Sequence, residues 1–135
     1  MKKLIVFFAF APMYCFSQKK GDNAIRIPVT GLTEDKITTA LFSCGYGIEK
    51  STKTYYLSTD NAKKNGVLVR LSFLINDSSC TIVGWCDPNY TLMGVKSWFK
   101  PVIYSKSGMG YLKIGLEEMI KVATKLSDKI EFIKQ

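Results

Sequence analysis

Residues 67–86 read VLVRLSFLINDSSCTIVGWC, and this stretch decides the fold of the chain. Between residues 67 and 75, apolar side chains recur at every second position, which is the period of a β-strand. One face of this strand is expected to be buried and to carry Val67, Val69, Leu71, Phe73 and Ile75. Residues 76–79 are Asn-Asp-Ser-Ser, a typical turn composition, and residues 80–86 then return as a partner strand. The stretch therefore predicts a long antiparallel hairpin.

An amphipathic helix is predicted on the N-terminal side of this hairpin. Thr33 is a favourable N-cap, and Glu34 and Asp35 follow it near the positive end of the helix dipole. Gly45 supplies a left-handed stop. The apolar stripe of this helix has helical spacing and consists of Ile37, Ala40, Leu41 and Cys44.

The remaining pattern completes an α+β order. A second amphipathic helix is expected from about Tyr111, whereas residues 87–110 are expected to be irregular because prolines and glycines interrupt them. Further strands are predicted at residues 24–29, 46–50, 53–59 and 130–133. The order β-α-β-β-β-β-loop-α-β predicts an antiparallel sheet with two helices packed on one face. Between the two layers we expect a core that contains Leu41, Leu71, Phe73, Leu116 and Ile120.

The first seventeen residues predict export. Lys2 and Lys3 precede an almost unbroken apolar run, too short to cross a bilayer, and small Ser17 closes it. This order is typical of a secretory signal peptide. A buried N-terminal strand or helix would need neither the positive start nor the abrupt change after Ser17. We expect residues 1–17 to be removed and residues 18–135 to form one α+β domain in the periplasm, at the cell surface or outside a bacterium.

The charge balance favours anionic partners without choosing among them. The chain carries a net charge of +8, and removing Lys2 and Lys3 leaves 17 basic and 11 acidic residues, or +6. Phospholipid headgroups, acidic polysaccharides and nucleic acids all fit this excess, and a soluble protein that is simply basic fits it as well. No specific nucleic-acid binding is expected. After residue 17 no apolar run approaches the ~20 residues of a membrane helix, so no transmembrane segment is expected in the mature chain.

Catalytic chemistry is not expected. The chain contains no histidine, which removes Ser-His and Cys-His nucleophile pairs, histidine zinc sites and the usual proton shuttle near pH 7. Cys80 and Cys86 stand six residues apart on one predicted strand, too far for a disulfide, whereas a bridge from Cys44 to either stays possible. Buried thiols are the simpler interpretation. We predict no enzyme activity, no catalytic residue, no metal and no cofactor.

Residues 88–116 contain four lysines, five aromatic residues and no acidic residue. Lysines among aromatics can bind anionic or ring-bearing ligands, and a glycine-rich approach to a helix can hold an anion. The alternative is that the aromatic rings cap the sheet and the lysines are only solvated. The candidate binding residues are Lys96, Trp98, Lys100, Tyr104 and Lys106.

Two functional hypotheses follow. The first is a non-enzymatic envelope domain that binds a protein partner of the envelope or has a structural role. The second is a binder of an anionic polymer or of a membrane surface, with residues 88–113 as its contact region.

Two stretches have a recognisable local pattern: in residues 41–50 a leucine is followed by Gly-Tyr-Gly-Ile, and residues 74–85 run from Leu-Ile-Asn-Asp to Ile-Val-Gly-Trp. In these stretches the chain resembles a family of small exported domains from Bacteroidota-type bacteria, many of them domains of unknown function. A leader that ends in Phe-Ser-Gln is similar as well. The family fold resembles the helix-grip or TATA-binding-protein-like unit, also seen in the outer-membrane assembly lipoprotein BamC. The resemblance implies a fold and an exported location, and no catalytic residue.

We expect the mature protein to begin at Gln18, because Ser17 is the first small residue that closes the apolar run. The intact mass of the exported protein measures this directly. A product that retains residues 1–17, or one that carries a lipid on Cys15, would contradict the prediction.

Overall fold

The computed structural model describes residues 19–104 and 110–135, so the predicted signal peptide lies outside the described residues. In chain order the elements are β1 (Ala24–Pro28), α1 (Glu34–Ser43), β2 (Ile48–Ser51), β3 (Tyr55–Ser58), β4 (Asn61–Ala62), a 3-10 turn (Lys64–Gly66), β5 (Leu68–Ile75), β6 (Ser79–Asp87), β7 (Thr91–Leu92), β8 (Val95–Lys96), β9 (Lys100–Pro101), α2 (Tyr111–Leu126) and β10 (Glu131–Ile133).

The predicted hairpin is the centre of the sheet. Strands β5 and β6 pair in register from Ile75 opposite Cys80 to Leu68 opposite Asp87. The main path of the sheet is β10-β1-β6-β5-β3-β2, with β4 added on β5 and β9 added on β6. Every strand pairing in the described residues is antiparallel. With two helices beside this sheet, the predicted α+β fold is confirmed.

One face of the hairpin forms the core, as its alternation predicted. Val69, Leu71 and Phe73 of β5 are fully buried, and Val67 just before the strand is nearly so. On the opposite face of β5, Leu74 is exposed. Of the five residues expected to share the core, Leu41, Leu71, Phe73 and Leu116 are buried, and Ile120 is partly buried and packs against them.

Helix α1 begins and ends where the sequence predicts. The Thr33 hydroxyl accepts a hydrogen bond from the Lys36 amide at 3.2 Å. At the other end Gly45 has φ of +88° and its amide donates to the Phe42 carbonyl, while the Tyr46 amide donates to the Leu41 carbonyl at 2.9 Å. These two bonds form a Schellman motif, which requires the left-handed residue that glycine provides.

Helix α2 lies on the sheet over β6, β1 and β5 and also contacts α1. Two glycines allow its close approach to β6. A Cβ atom on Gly115 would overlap the Cys86 Sγ atom and would lie 2.6 Å from Val102 Cγ2. A Cβ atom on Gly84 would lie 2.8 Å from Met119 Sδ. Helix and central strand therefore meet where neither side has room for a side chain.

The expectation of irregular chain over residues 87–110 is wrong for much of its described part. Strands β7 and β8 form a hairpin, and β9 joins the main sheet through Trp85 opposite Pro101. Each of these strands has only two residues, which is too short for any alternation to be visible in the sequence. Residues 60–66, whose polar and lysine-rich composition predicts a loop, likewise contain β4 and the 3-10 turn.

We expect Phe73→Ala and Leu41→Ala each to lower the free energy of unfolding by about 2–5 kcal/mol, because both side chains are fully buried in the shared core. Urea melts measure the change. Leu74→Ala is the matched control on the exposed face of the same strand, and its effect should stay within about 0.5 kcal/mol. Core variants as stable as this control would contradict the two-layer arrangement.

Candidate functional site

Strands β7 and β8 form a two-stranded hairpin that is separate from the main sheet. Thr91 pairs with Lys96 and Leu92 with Val95, which leaves Met93 and Gly94 as a two-residue turn. Both turn residues have positive φ, 51° at Met93 and 81° at Gly94, as a type I′ hairpin turn requires. Glycine tolerates this conformation, whereas a long side chain such as that of Met93 is disfavoured there.

The base of the hairpin is anchored to the end of the central strand. Asp87, the last residue of β6, is buried, and its carboxylate accepts hydrogen bonds from the Asn89 amide at 2.8 Å and from the Ser97 hydroxyl. The Ser97 amide in turn donates to the Tyr90 carbonyl at 2.8 Å, and the Tyr90 amide donates to Ser97 Oγ at 2.9 Å. The carboxylate of Asp87 therefore ties together both strands of the hairpin where they leave the domain.

The returning chain is held as well. The ring of Phe99 is partly buried and lies 4.9 Å from the guanidinium carbon of Arg70. Arg70 is itself held by Asp60, whose carboxylate accepts from its Nε at 2.7 Å. Lys100 then lies opposite Cys86 in β9, so the hairpin is fixed to the sheet on both sides.

Beyond this anchored base the hairpin is apolar and exposed. Eight large apolar side chains in the described part of the chain are exposed, and five of them lie here. Their exposed fractions are 54% for Tyr90, 64% for Leu92, 95% for Met93, 62% for Val95 and 61% for Trp98. Leu92 and Val95 form a cross-strand pair and share one face, and Met93 occupies the tip. We call residues 90–98 the apolar hairpin.

The structure brings only some of the predicted site residues together. Lys96 and Trp98 are exposed on the apolar hairpin, and the exposed Lys100 places its Nζ 5.2 Å from the centre of the Trp98 ring. Tyr104 lies apart from them, because it packs against the core and its amide donates to the Asp22 carbonyl at 2.7 Å. Lys106 lies outside the described residues.

Sequence reasoning missed the three aliphatic side chains at the tip, Leu92, Met93 and Val95. The signal that could have found them is the four-residue run Leu-Met-Gly-Val between Thr91 and Lys96, where one glycine marks a turn. That signal is weak, since a type I′ turn ordinarily shows Asn-Gly or Asp-Gly.

A second group of polar side chains joins the two helices. The Tyr46 hydroxyl donates to Glu118 Oε1 at 3.0 Å, and Lys63 Nζ lies 3.1 Å from the same oxygen. Lys63 also donates to the carbonyl of Cys44 at 2.9 Å, at the end of α1. Burial, and then the nearby charge of Glu118, raise the pKa of Tyr46 well above its usual range, so its hydroxyl stays protonated. The helical periodicity of the sequence after Tyr111 predicts that Glu118 faces outward, and this prediction is wrong, because its side chain is largely buried in this group.

This polar group acts as a structural clamp. Its three side chains bind one another, and Lys63 also satisfies a carbonyl that the end of α1 leaves open. In the described part of the chain, the carboxylate bound to Tyr46 is that of Glu118, and this carboxylate is itself paired with Lys63. The arrangement therefore connects α1, α2 and the chain after β4.

The thiols and the surface depressions offer little for catalysis. Cys44, Cys80 and Cys86 are free and buried, so their interpretation as buried thiols is confirmed, and no bridge joins Cys44 to either of the other two. Burial raises the pKa of Cys80 and of Cys86 to about 12, which keeps both thiols neutral. Three open depressions, at the β1–β10 edge, between the helices and beside the start of α1, are each lined by one acidic residue, namely Glu131, Asp35 and Glu34.

No family model matches the chain, and no curated protein or solved structure is significantly similar to it. The resemblance to small exported domains therefore stays a prediction from the sequence. Within residues 19–104 and 110–135, no helix has the length and apolar character needed to cross a membrane.

We expect Met93→Asn to raise the free energy of unfolding by about 1 kcal/mol, because asparagine adopts the left-handed backbone of this turn more readily than methionine. Urea melts of wild type and variant measure the gain. Met93→Leu is the control, since leucine is as disfavoured there as methionine and should leave stability unchanged. A loss of stability in Met93→Asn would contradict the assigned turn.

Proposed function

We propose that this protein is a non-enzymatic binding domain of the bacterial cell envelope and that the apolar hairpin is its contact surface. The observation that carries this proposal is the concentration of five exposed, large apolar side chains on one anchored projection. Contiguous apolar surface of this kind marks interaction sites in otherwise well-packed domains. The signal-peptide pattern of residues 1–17 supports the location.

Several features favour binding over catalysis. The sequence has no histidine, and the three described thiols are buried. Among the residues that the structure describes, no group of three or more histidine, cysteine, aspartate or glutamate side chains is arranged to hold a metal ion. The most closely connected polar group, Tyr46 with Lys63 and Glu118, is committed to joining the helices.

The free energy gained by burying the tip of the apolar hairpin can be compared with the free-energy cost of association. Burying one Val, Leu or Met side chain contributes about 1.5–3 kcal/mol, and three such residues occupy the tip. Association costs about 4–15 kcal/mol in lost translational and rotational freedom. The tip alone therefore supports only weak contact, and further interactions by Trp98, Lys96 and Lys100 are needed for stable binding.

Retention of the purified protein on the envelope fraction of its own bacterium tests the proposal. We expect Leu92→Thr combined with Val95→Thr to reduce retention several-fold, because both exposed apolar side chains are lost while residues that suit a strand are kept. The matched control is Phe42→Thr with Leu74→Thr, which removes two apolar side chains of similar exposure elsewhere on the surface.

Both variants should keep the wild-type urea midpoint within a few tenths of 1 M, so that a difference in retention reports contact and not unfolding. All proteins are expressed from the same full chain, so any contribution of residues 1–18 cancels in the comparison. Equal retention of the hairpin variant and wild type would overturn the proposal, and so would an equal loss in the control.

A further inference from the structure

We infer that the occupant of this contact surface is an anionic lipid bilayer, with the tip of the apolar hairpin among the acyl chains and Lys96 and Lys100 among the headgroup phosphates. This inference rests on the proposed function, because it names the partner of the same contact surface. It goes further in assigning a depth and an orientation to each side chain.

Apart from Lys96, whose long side chain can extend back toward the phosphates, the order of side chains along the apolar hairpin matches the order of polarity across a bilayer surface. Leu92, Met93 and Val95 lie at or next to the turn. With a rise of about 3.3 Å per residue in an extended chain, Trp98 lies at most ~13 Å behind Gly94. Amphipathic elements bury their apolar side about 5–10 Å into the boundary between headgroups and acyl chains, and Trp and Tyr concentrate at that interface. The aliphatic tip therefore reaches the acyl region while Trp98 and Tyr90 stay at interfacial depth.

The charged side chains of residues 88–104 are all positive. Lys96 and Lys100 are exposed, and residues 88–104 contain no acidic side chain. The nearest acidic residue before them, Asp87, is buried and is bound to Asn89 and Ser97. Long lysine side chains can extend along apolar surface and keep their ammonium groups at the level of the phosphates. Each lysine held at an anionic membrane surface strengthens binding ~5-fold, so charge adds to the weak contact of the tip.

The shape of the tip favours a fluid partner over a folded one. The apolar hairpin is narrow, because each of its strands has only two residues, and its exposed apolar groups run from the tip at Met93 to Trp98, beyond the pair of Tyr90 and Ser97. A lipid layer surrounds a narrow projection on every side, whereas a protein partner would need a groove of matching depth. At the tip, an apolar methionine occupies a turn position that asparagine or glycine fits with less strain. Met93 thus places an almost fully exposed apolar side chain at the point that enters first.

Protein-free vesicles test the inference. Binding is measured by co-sedimentation with vesicles of phosphatidylcholine alone and with vesicles that also contain phosphatidylglycerol, at low and at high salt. We expect wild type to bind the anionic vesicles at least tenfold more tightly and to lose most of that difference at high salt. Met93→Asn should weaken binding several-fold without loss of stability. Lys96→Gln with Lys100→Gln should weaken it by roughly tenfold or more and flatten the salt dependence.

Two further measurements separate insertion from simple charge attraction. Trp98 fluorescence should shift to the blue on anionic vesicles, and Trp98→Phe should abolish the shift, since the other tryptophan, Trp85, lies within the sheet. Lys50→Gln with Lys53→Gln is the matched charge control, because it removes two exposed lysines outside the apolar hairpin. This control should reduce binding less than the hairpin lysine variant does.

Each contrary outcome identifies what has failed. No vesicle binding together with hairpin-dependent retention on the native envelope would overturn the lipid assignment, leave the proposed function intact and indicate a protein partner. Vesicle binding that is equal in all lysine variants and lacks a Trp98 shift would also overturn the inference. Salt-sensitive binding to an acidic polysaccharide, without a Trp98 shift on lipid, would do the same.

Discussion

The close packing of α2 on β6 at Gly115 is the constraint on which the rest of this structure depends. A side chain there would collide with Cys86 of the central strand and with Val102, which follows β9 and donates its amide to the Gly84 carbonyl at 2.9 Å. One helix position therefore holds both the strand from which the apolar hairpin leaves and the chain by which it returns. Because β6 also pairs with β5 and β1, this contact connects the projection to the centre of the sheet.

In this arrangement the residues that stabilise the fold are different from the residues that are exposed at the hairpin tip. The core residues Leu41, Leu71 and Phe73 are buried among helices and sheet and hold the domain together. The side chains at the hairpin tip are exposed and contribute little to that core, so the contact proposed for them would not compete with folding. Met93 illustrates the separation, since its backbone conformation is strained and its side chain is almost fully exposed. The strained backbone of the Met93–Gly94 turn is tolerable because the buried Asp87 carboxylate holds the base of the apolar hairpin.

Much of the fold could be predicted from local pattern, and the site could be predicted only in part. The alternation over residues 67–75, the Thr33 cap and the Gly45 stop are all present as expected, because each depends on residues close together in the chain. The acid-free composition of residues 88–116 indicated the segment that contains the candidate site of the proposed function. Composition did not show that Trp98 and Lys100 lie together whereas Tyr104 packs against the core. Which of these side chains is buried depends on contacts with strands that are distant in the sequence.

By itself the sequence determined the α+β class, the caps of the first helix, the positive charge and the lack of a histidine-based site. These properties follow from residue types and short-range periodicity. Only the tertiary structure decided that Glu118 turns inward to Tyr46 and Lys63, and that Asp87 anchors a projecting hairpin instead of an irregular loop. Whether a given side chain is buried or exposed depends on which elements pack over it. Two-residue strands such as β7 and β8 are too short for a sequence pattern to show this.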